Sequence, residues 1–152
     1  MATDINRPTL GQYMSLVCFQ YLRFVTEEVA DRAPVVSAGR LRGYELVTQL
    51  GLLNSGKDPA FLRETLDNAL GLNGTRLCLI KDIVLLPNGG YQVQVSEVAC
   101  VAGRTSDTPQ CLFSLGVFIG ALSGITGTAM TGVEKQCTSC GAEHCVYEIS
   151  PI

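Results

Sequence analysis

The feature that most constrains this chain is a stretch from Leu112 to Val133 in which no residue carries a charge. A stretch of that length is long enough to cross a bilayer as a helix. However, it also contains five serine or threonine residues and five glycines, and Gly127 would interrupt a helix that begins at Leu112. We therefore predict a buried helix that ends near Ile125, followed by a loop and a strand, and no membrane span.

This helix is apolar on nearly all sides, which predicts a central position in the fold. Its glycines, Gly116, Gly120 and Gly124, recur at every fourth residue and form a smooth stripe. Because such stripes mainly allow backbones to approach closely, we expect contact with a sheet or a second helix. A groove for a flat or elongated ligand is the alternative interpretation. Hydrophobic residues make up 47% of the chain and charged residues 16%, which indicates extensive burial, an apolar cavity or a subunit interface.

The other elements are predicted from hydrophobic periodicity, with glycine and proline as breaks. The predicted order is three helices, a hairpin, the central helix and a second hairpin. The helices cover about residues 11–30, 37–53 and 59–70, and the strands about 77–80, 83–86, 91–96, 130–136 and 144–149. Ala33-Pro34 is expected to end the first helix, because the residue before proline avoids helical backbone angles.

Local signals predict the ends of several elements. Asp58 can cap the third helix, with Pro59 in its first turn, and Asn88-Gly89 is typical of a hairpin turn. Thr108 followed by Pro109 is expected to open the central helix in the same way. The predicted fold is α+β, with N-terminal helices packed on an antiparallel sheet of two hairpins and a central glycine-rich helix between them. Residues 1–10 are expected to form a flexible arm, and residues 11–152 a single domain.

Cysteine and carboxylate side chains are concentrated near the C-terminus, in a pattern that can bind a metal. Zinc takes four ligands in a tetrahedron, and Cys137 and Cys145 flank a tight turn that can bring their sulfurs together. Upstream, Cys111 is expected in the first turn of the central helix, where the helix dipole and free amides favour a thiolate. Glu134 and Cys137 can face one metal only if the strand bends after Lys135. The candidate ligands are Cys111, Glu134, Cys137, Cys140, His144 and Cys145.

Other interpretations of the seven cysteines remain open. The segment Cys137-Thr-Ser-Cys140 also matches a redox Cys-x-x-Cys pair, and the cluster could consist simply of buried thiols. Cys18, Cys78 and Cys100 lie in apolar patterns, which indicates ordinary core positions. The first residues lack the basic-then-apolar pattern of a signal peptide, so we expect thiols rather than disulfides and a cytoplasmic location.

The C-terminal motif resembles that of the 4-vinyl reductase domain family. The family pattern is Glu, two residues and Cys, then Gly, three residues and Cys, and finally a strand that contains an aromatic residue. Here these positions are Glu134, Cys137, Gly141, Cys145 and Tyr147. Cys111 occupies the place of the upstream cysteine with which phenol-sensing members hold zinc. The resemblance covers about residues 35–150, including an early glycine motif at Gly39 and Gly43.

The resemblance implies a structural zinc site formed by Cys111, Glu134, Cys137 and Cys145, with Cys140 as a substitute for Glu134. It also implies the fold of vesicle-tethering subunits that hold an acyl chain, and homodimers formed through the N-terminal helices. Family ligands are hydrophobic small molecules, including aromatics and tetrapyrrole precursors. The chain contains no tryptophan, unlike the phenol sensors, and this difference argues against phenol itself.

We therefore expect a non-catalytic domain that carries or senses a hydrophobic small molecule. A scaffold that binds protein partners is the alternative. A 4-vinyl tetrapyrrole reductase is disfavoured because no glycine-rich phosphate loop follows a strand. The net charge of −3, without a basic stripe, argues against nucleic acid. The pocket candidates, for which ordinary core packing is the alternative, are Phe113, Val117, Phe118, Tyr13, Tyr21 and Tyr44.

Overall fold

The computed structural model describes residues 9, 13–16, 19–20, 23, 32–56 and 58–152. Within these residues, three α-helices pack against a four-stranded antiparallel sheet, so the predicted α+β fold is confirmed. The elements are α1 (Arg32–Gln49), α2 (Pro59–Leu70), β1 (Leu79–Leu85), β2 (Tyr91–Ser96), α3 (Leu112–Thr126), β3 (Met130–Gln136) and β4 (Cys145–Pro151). Apart from residue 9, the predicted N-terminal arm lies outside the described residues.

The sheet consists of the two predicted hairpins, joined side by side in the order β1-β2-β4-β3. The turn between β1 and β2 is the Asn-Gly turn of the prediction. Gly89 has a φ of 81°, and the Gly90 amide donates a hydrogen bond to the Asn88 side chain over 2.9 Å. The two apolar runs at 77–80 and 83–86 contribute to one strand, β1, which covers Leu79–Leu85, rather than to two.

The glycine stripe of α3 lies against α1, and the helix–helix contact expected from the stripe is confirmed. A Cβ atom at Gly120 would overlap the carbonyl oxygen of Arg40, and one at Gly39 would overlap that of Phe113. Gly43 lies equally close to the backbone of Val117. Glycines on both helices therefore allow main-chain contact, and any side chain at these positions would push the helices apart.

Helix α3 is the centre of the core, as its composition predicts. Nearly all of its side chains are buried, and Phe118 packs against Tyr147 of β4 with ring centroids 5.6 Å apart. Helix α2 begins as predicted, since Asp58 accepts a hydrogen bond from the Phe61 amide over 3.1 Å. None of the described helices combines the length and hydropathy that a membrane crossing requires.

The N-terminal helices differ from the prediction in their bounds. Helix α1 extends over Arg32–Gln49 rather than residues 37–53, and the prediction that Ala33-Pro34 ends a helix is wrong, because both residues lie within α1. Proline is compatible with this position because the first-turn amides of a helix have no intrahelical acceptor. Seven residues of the predicted first helix are described: Leu16, Phe19, Gln20 and Arg23 have helical backbone, and residues 13–15 do not.

The beginning of α3 also differs from the prediction. Thr108 and Pro109 lie in a loop, where the Thr108 amide donates to the Ser106 hydroxyl over 3.2 Å. The helix begins three residues later, with Cys111 at its N-cap and Leu112 as its first residue. This shift places the Cys111 sulfur at the start of the central helix.

Candidate functional site

Three cysteine sulfurs from distant parts of the chain meet below the start of α3. The Sγ–Sγ distances are 3.6 Å between Cys111 and Cys145, 3.8 Å between Cys111 and Cys137, and 4.0 Å between Cys137 and Cys145. A carboxylate oxygen of Glu134 joins them, and all four ligand atoms lie within 4.8 Å of one another. Thiolates bound tetrahedrally to zinc at about 2.3 Å are separated by about 3.8 Å. The cluster therefore has the size of a tetrahedral metal site.

A β-bulge in β3 brings Glu134 and Cys137 to the same face of the sheet. Glu134 pairs with the buried Tyr147 on β4, but the next paired residue is Gln136, so Lys135 is the extra residue. Both Lys135 and Gln136 are exposed, and Cys137 returns to the interior. The bend after Lys135 that the metal interpretation required is present in the structure.

Polar groups around the cluster orient its side chains. The Cys111 amide donates to Glu134 Oε2 over 2.9 Å, and the Thr138 amide donates to Cys145 Sγ over 3.3 Å. The buried hydroxyl of Ser139 lies 3.0 Å from Cys137 Sγ. Contacts of this type hold ligands in position and stabilise thiolates. Neither Thr138 nor Ser139 was predicted from the sequence, where their only signal is their position between two cysteines.

The electrostatics of the cluster single out Cys137 as its thiolate, because the pKa values of the Cys111 and Cys145 thiols are raised. Hydrogen bonds from the Cys111 and Cys145 thiols hold the pKa of Cys137 well below its ordinary value, which favours the thiolate there. Burial raises the pKa of Glu134 to about 7. Its second oxygen, Oε1, is buried and has no hydrogen-bond partner among the described residues. A metal ion would satisfy this oxygen and compensate the negative charge.

Two of the candidate ligands lie outside this group of four. Cys140 is exposed on the short 3₁₀ turn Thr138–Cys140, where its sulfur lies 3.9 Å from the Ser139 hydroxyl. His144 lies 3.9 Å from the exposed carboxylate of Glu143. The core positions expected for Cys78 and Cys100 are observed, whereas Cys18 is outside the described residues.

An apolar cavity of about 670 Å³ lies beside α3, within the size range of small-molecule pockets. Its walls come from the N-terminal segment, α1, the α2–β1 connection, the loop after β2 and α3. Of the pocket candidates, Tyr13, Phe113 and Val117 line this cavity. Phe118 instead lies in the core, and Tyr44 is half exposed on α1. Tyr21 is outside the described residues.

The N-terminal segment is anchored to the loop between the cavity and Cys111. The Gln20 amide group donates to the carbonyls of Ala99 and Ala102 over 2.9 and 3.1 Å. Arg23 is buried and donates to the carbonyls of Cys100 and Gln110 over 3.0 and 2.7 Å. The same loop thus links the cavity wall to the start of α3.

The fold and the cluster together define an α+β domain whose central helix begins at a group of three cysteines and one glutamate. Residues 91–151 match the model of the 4-vinyl reductase domain family. Over this region the match confirms the family resemblance that was predicted from the residues. No curated protein sequence matches the chain significantly.

Solved structures share this fold at low sequence identity. The phenol-responsive sensory domain of the transcription activator PoxR, with phenol, is 18% identical with a TM-score of 0.65, over 91% of this chain and 75% of that one. A vinyl-4-reductase family protein from Methanocaldococcus jannaschii is also 18% identical with a TM-score of 0.65, over 94% and 85%. A trafficking protein particle complex subunit 3 from Naegleria fowleri, covalently bound to palmitic acid, is 14% identical with a TM-score of 0.58, over 90% and 93%.

Proposed function

We propose that this chain is a non-catalytic binding domain that carries or senses a hydrophobic small molecule. The observation that carries the proposal is the apolar cavity of about 670 Å³ between the N-terminal segment and α3. Buried side chains such as Leu70, Leu77 and Val117 line it, so an apolar ligand would replace water there. The likeness to a phenol-responsive sensory domain supports the proposal at the level of the fold. A tetrapyrrole precursor is one ligand class that the family resemblance suggests.

Binding at this cavity can be tested with Nile red, a neutral apolar dye whose fluorescence rises in apolar surroundings. Ala102 is an exposed residue that lines the cavity, so Ala102→Trp should fill the space without disturbing the core. Ala60→Trp is the matched control, because Ala60 is exposed on α2 away from the cavity. We expect saturable dye binding that Ala102→Trp weakens at least tenfold and Ala60→Trp leaves unchanged. Equal binding by both variants would show that the dye binds elsewhere.

We further propose that Cys111, Glu134, Cys137 and Cys145 would hold a structural zinc ion. Three sulfurs and one carboxylate occupy all four tetrahedral positions, and no position is left for a catalytic water. This saturation supports a binding role over a reductase. Bound zinc would tie the β3–β4 hairpin to the start of α3, and so to the wall of the cavity.

The zinc proposal is tested by metal analysis of purified protein after dialysis against trace zinc. We expect about one zinc per chain, retained by Cys140→Ser and lost from Cys145→Ser. Cys140→Ser is the matched control because Cys140 is exposed and lies outside the four-residue group. Retention of zinc by Cys145→Ser, or its loss from Cys140→Ser, would contradict this ligand set.

We propose a homodimer formed through α1, as the family resemblance suggests. Leu41 and Tyr44 lie three residues apart on this helix and are 63% and 48% exposed, which supports a partner surface. Light scattering should give twice the chain mass for the wild type and the chain mass for Leu41→Glu. A monomeric wild type would instead favour a different protein at this surface, as in the scaffold alternative.

A further inference from the structure

We propose that the ligand of the cavity is an apolar carboxylic acid, whose carboxylate lies against the guanidinium groups of Arg42 and Arg76. The inference rests on the proposed function and specifies the chemistry of its ligand. Both arginines line a cavity whose remaining surface is mostly apolar. Such a lining suits a molecule with an apolar body and one anionic end.

The surroundings of Arg42 are the first observation that points to an anionic ligand. It is half-buried on α1, next to the helix contact at Gly43. Within the described part of the chain, no hydrogen bond or ion pair engages its guanidinium group. Arg40, two residues earlier, instead donates to the carbonyl of Met130. A half-buried guanidinium group is stabilised by a carboxylate that accepts hydrogen bonds from its N–H groups.

Arg76 is held at the rim of the same cavity. Its backbone has a φ of 57°, which is uncommon for a residue with a long side chain. The guanidinium carbon lies 5.7 Å from the centre of the Tyr13 ring, within the range of a cation–π contact. Tyr13 in turn donates to the carbonyl of Gly74 over 3.3 Å. These contacts keep the positive charge beside the cavity and leave its N–H groups able to donate.

The other lining groups agree with an acid rather than a cation or a pure hydrocarbon. Glu97 is the one carboxylate among the described lining residues, and its exposure lets it remain hydrated. Two guanidinium groups against one carboxylate leave the lining positive. Phe113, Val117 and Leu70 provide apolar surface for the body of the ligand. A quaternary ammonium compound of the same length would meet the two arginines unfavourably.

The head group can be tested by competition with bound Nile red. Decanoate and 1-decanol each contain ten carbons and differ in the head group, which is an anionic carboxylate in one and an uncharged hydroxyl in the other. We expect wild-type protein to bind decanoate about ten to a hundred times more tightly than 1-decanol, as for a charge-assisted hydrogen bond. Arg42→Gln should weaken decanoate binding and so remove most of this preference. Arg63→Gln, at an exposed position on α2 outside the cavity, should behave as the wild type.

The outcomes separate this inference from the proposed function. If both compounds displace the dye equally and the arginine variants change neither affinity, the acid inference is wrong although apolar binding stands. If the dye itself does not bind, the proposed function fails. Arg76→Gln provides a second variant at an exposed position, so the test remains decisive if Arg42→Gln does not fold. Failure of decanoate to displace bound dye would also overturn the inference.

Discussion

The main-chain contact between α1 and α3 leads to a sharp prediction about two glycines on one helix. A Cβ atom at Gly120 would overlap the backbone carbonyl of Arg40, which cannot move without moving α1. At Gly124 the atoms nearest to a new Cβ belong to side chains, with Val47 Cγ2 at 2.7 Å and Leu53 Cδ2 at 3.1 Å. Side chains can shift at a lower cost than a backbone carbonyl that is fixed within a helix. Gly120→Ala and Gly124→Ala should therefore differ in their effects on stability.

The expected difference follows from two opposing terms. Overpacking costs about 1–3 kcal/mol, and contact with backbone places Gly120→Ala near the upper limit of this range. The higher helix propensity of alanine than of glycine adds about 1 kcal/mol to the free energy of unfolding of both variants. The net change in the free energy of unfolding is then about −2 kcal/mol for Gly120→Ala and about zero for Gly124→Ala. For a domain of this size, this corresponds to a difference in Tm of about 4–8 °C.

Urea unfolding followed by circular dichroism, with zinc held at one saturating concentration, measures this difference. Both variants should retain the helical signal of the wild type before the transition. The same midpoint for Gly120→Ala and Gly124→Ala would refute the view that main-chain contact sets the distance between the helices. A lower midpoint for Gly124→Ala would place the tightest contact further along α3 than the structure shows.

Three further predictions concern the sheet and the cluster. Tyr147→Phe should not reduce the free energy of unfolding, because the Tyr147 hydroxyl is buried without a hydrogen-bond partner among the described residues; urea midpoints check this. Deletion of Lys135 should keep zinc in metal analysis, because Glu134 and Cys137 would then lie two residues apart on a regular strand and still share a face, whereas insertion of one alanine after Gln136 should turn Cys137 to the outer face and abolish zinc binding. Burial raises the pKa of Glu134 from its ordinary value of 4.5 to about 7, so the folded metal-free protein holds that proton longer than the unfolded chain. Its free energy of unfolding should fall as pH rises through this interval, and unfolding curves of Glu134→Gln should lack this component.

The first residue of a helix was predictable where the sequence signal lies within one turn of the chain. Helix α2 begins at Pro59 after the Asp58 cap, because both signals act within one turn of the chain. The pair Thr108-Pro109 carries the same kind of signal, yet α3 begins only after Cys111. The Cys111 amide donates to the carboxylate of Glu134, a residue 23 positions away, and a local pattern contains no information about such a partner.

The residue types of the candidate metal site were predictable from the sequence, but the direction of each side chain and the residues around the site were not. The spacing of Cys137 and Cys145 around a turn indicated that their sulfurs meet. The direction of Glu134 depended on a bulge that arises from pairing with another strand. Nothing in the sequence distinguishes Arg42 from the solvent-exposed Arg63, because cavity walls combine residues from separate segments.

The bulges also affect the two free edges of the sheet. β1 and β3 are its outer strands, and each has a bulge in its pairing, one between Ile80 and Asp82 and one between Glu134 and Gln136. The extra residue is a lysine in both cases, Lys81 and Lys135, and both side chains are exposed. A charged, distorted edge is a poor template for a strand of another molecule. The irregularity that brings Glu134 to the cluster therefore also protects the sheet against edge-to-edge aggregation.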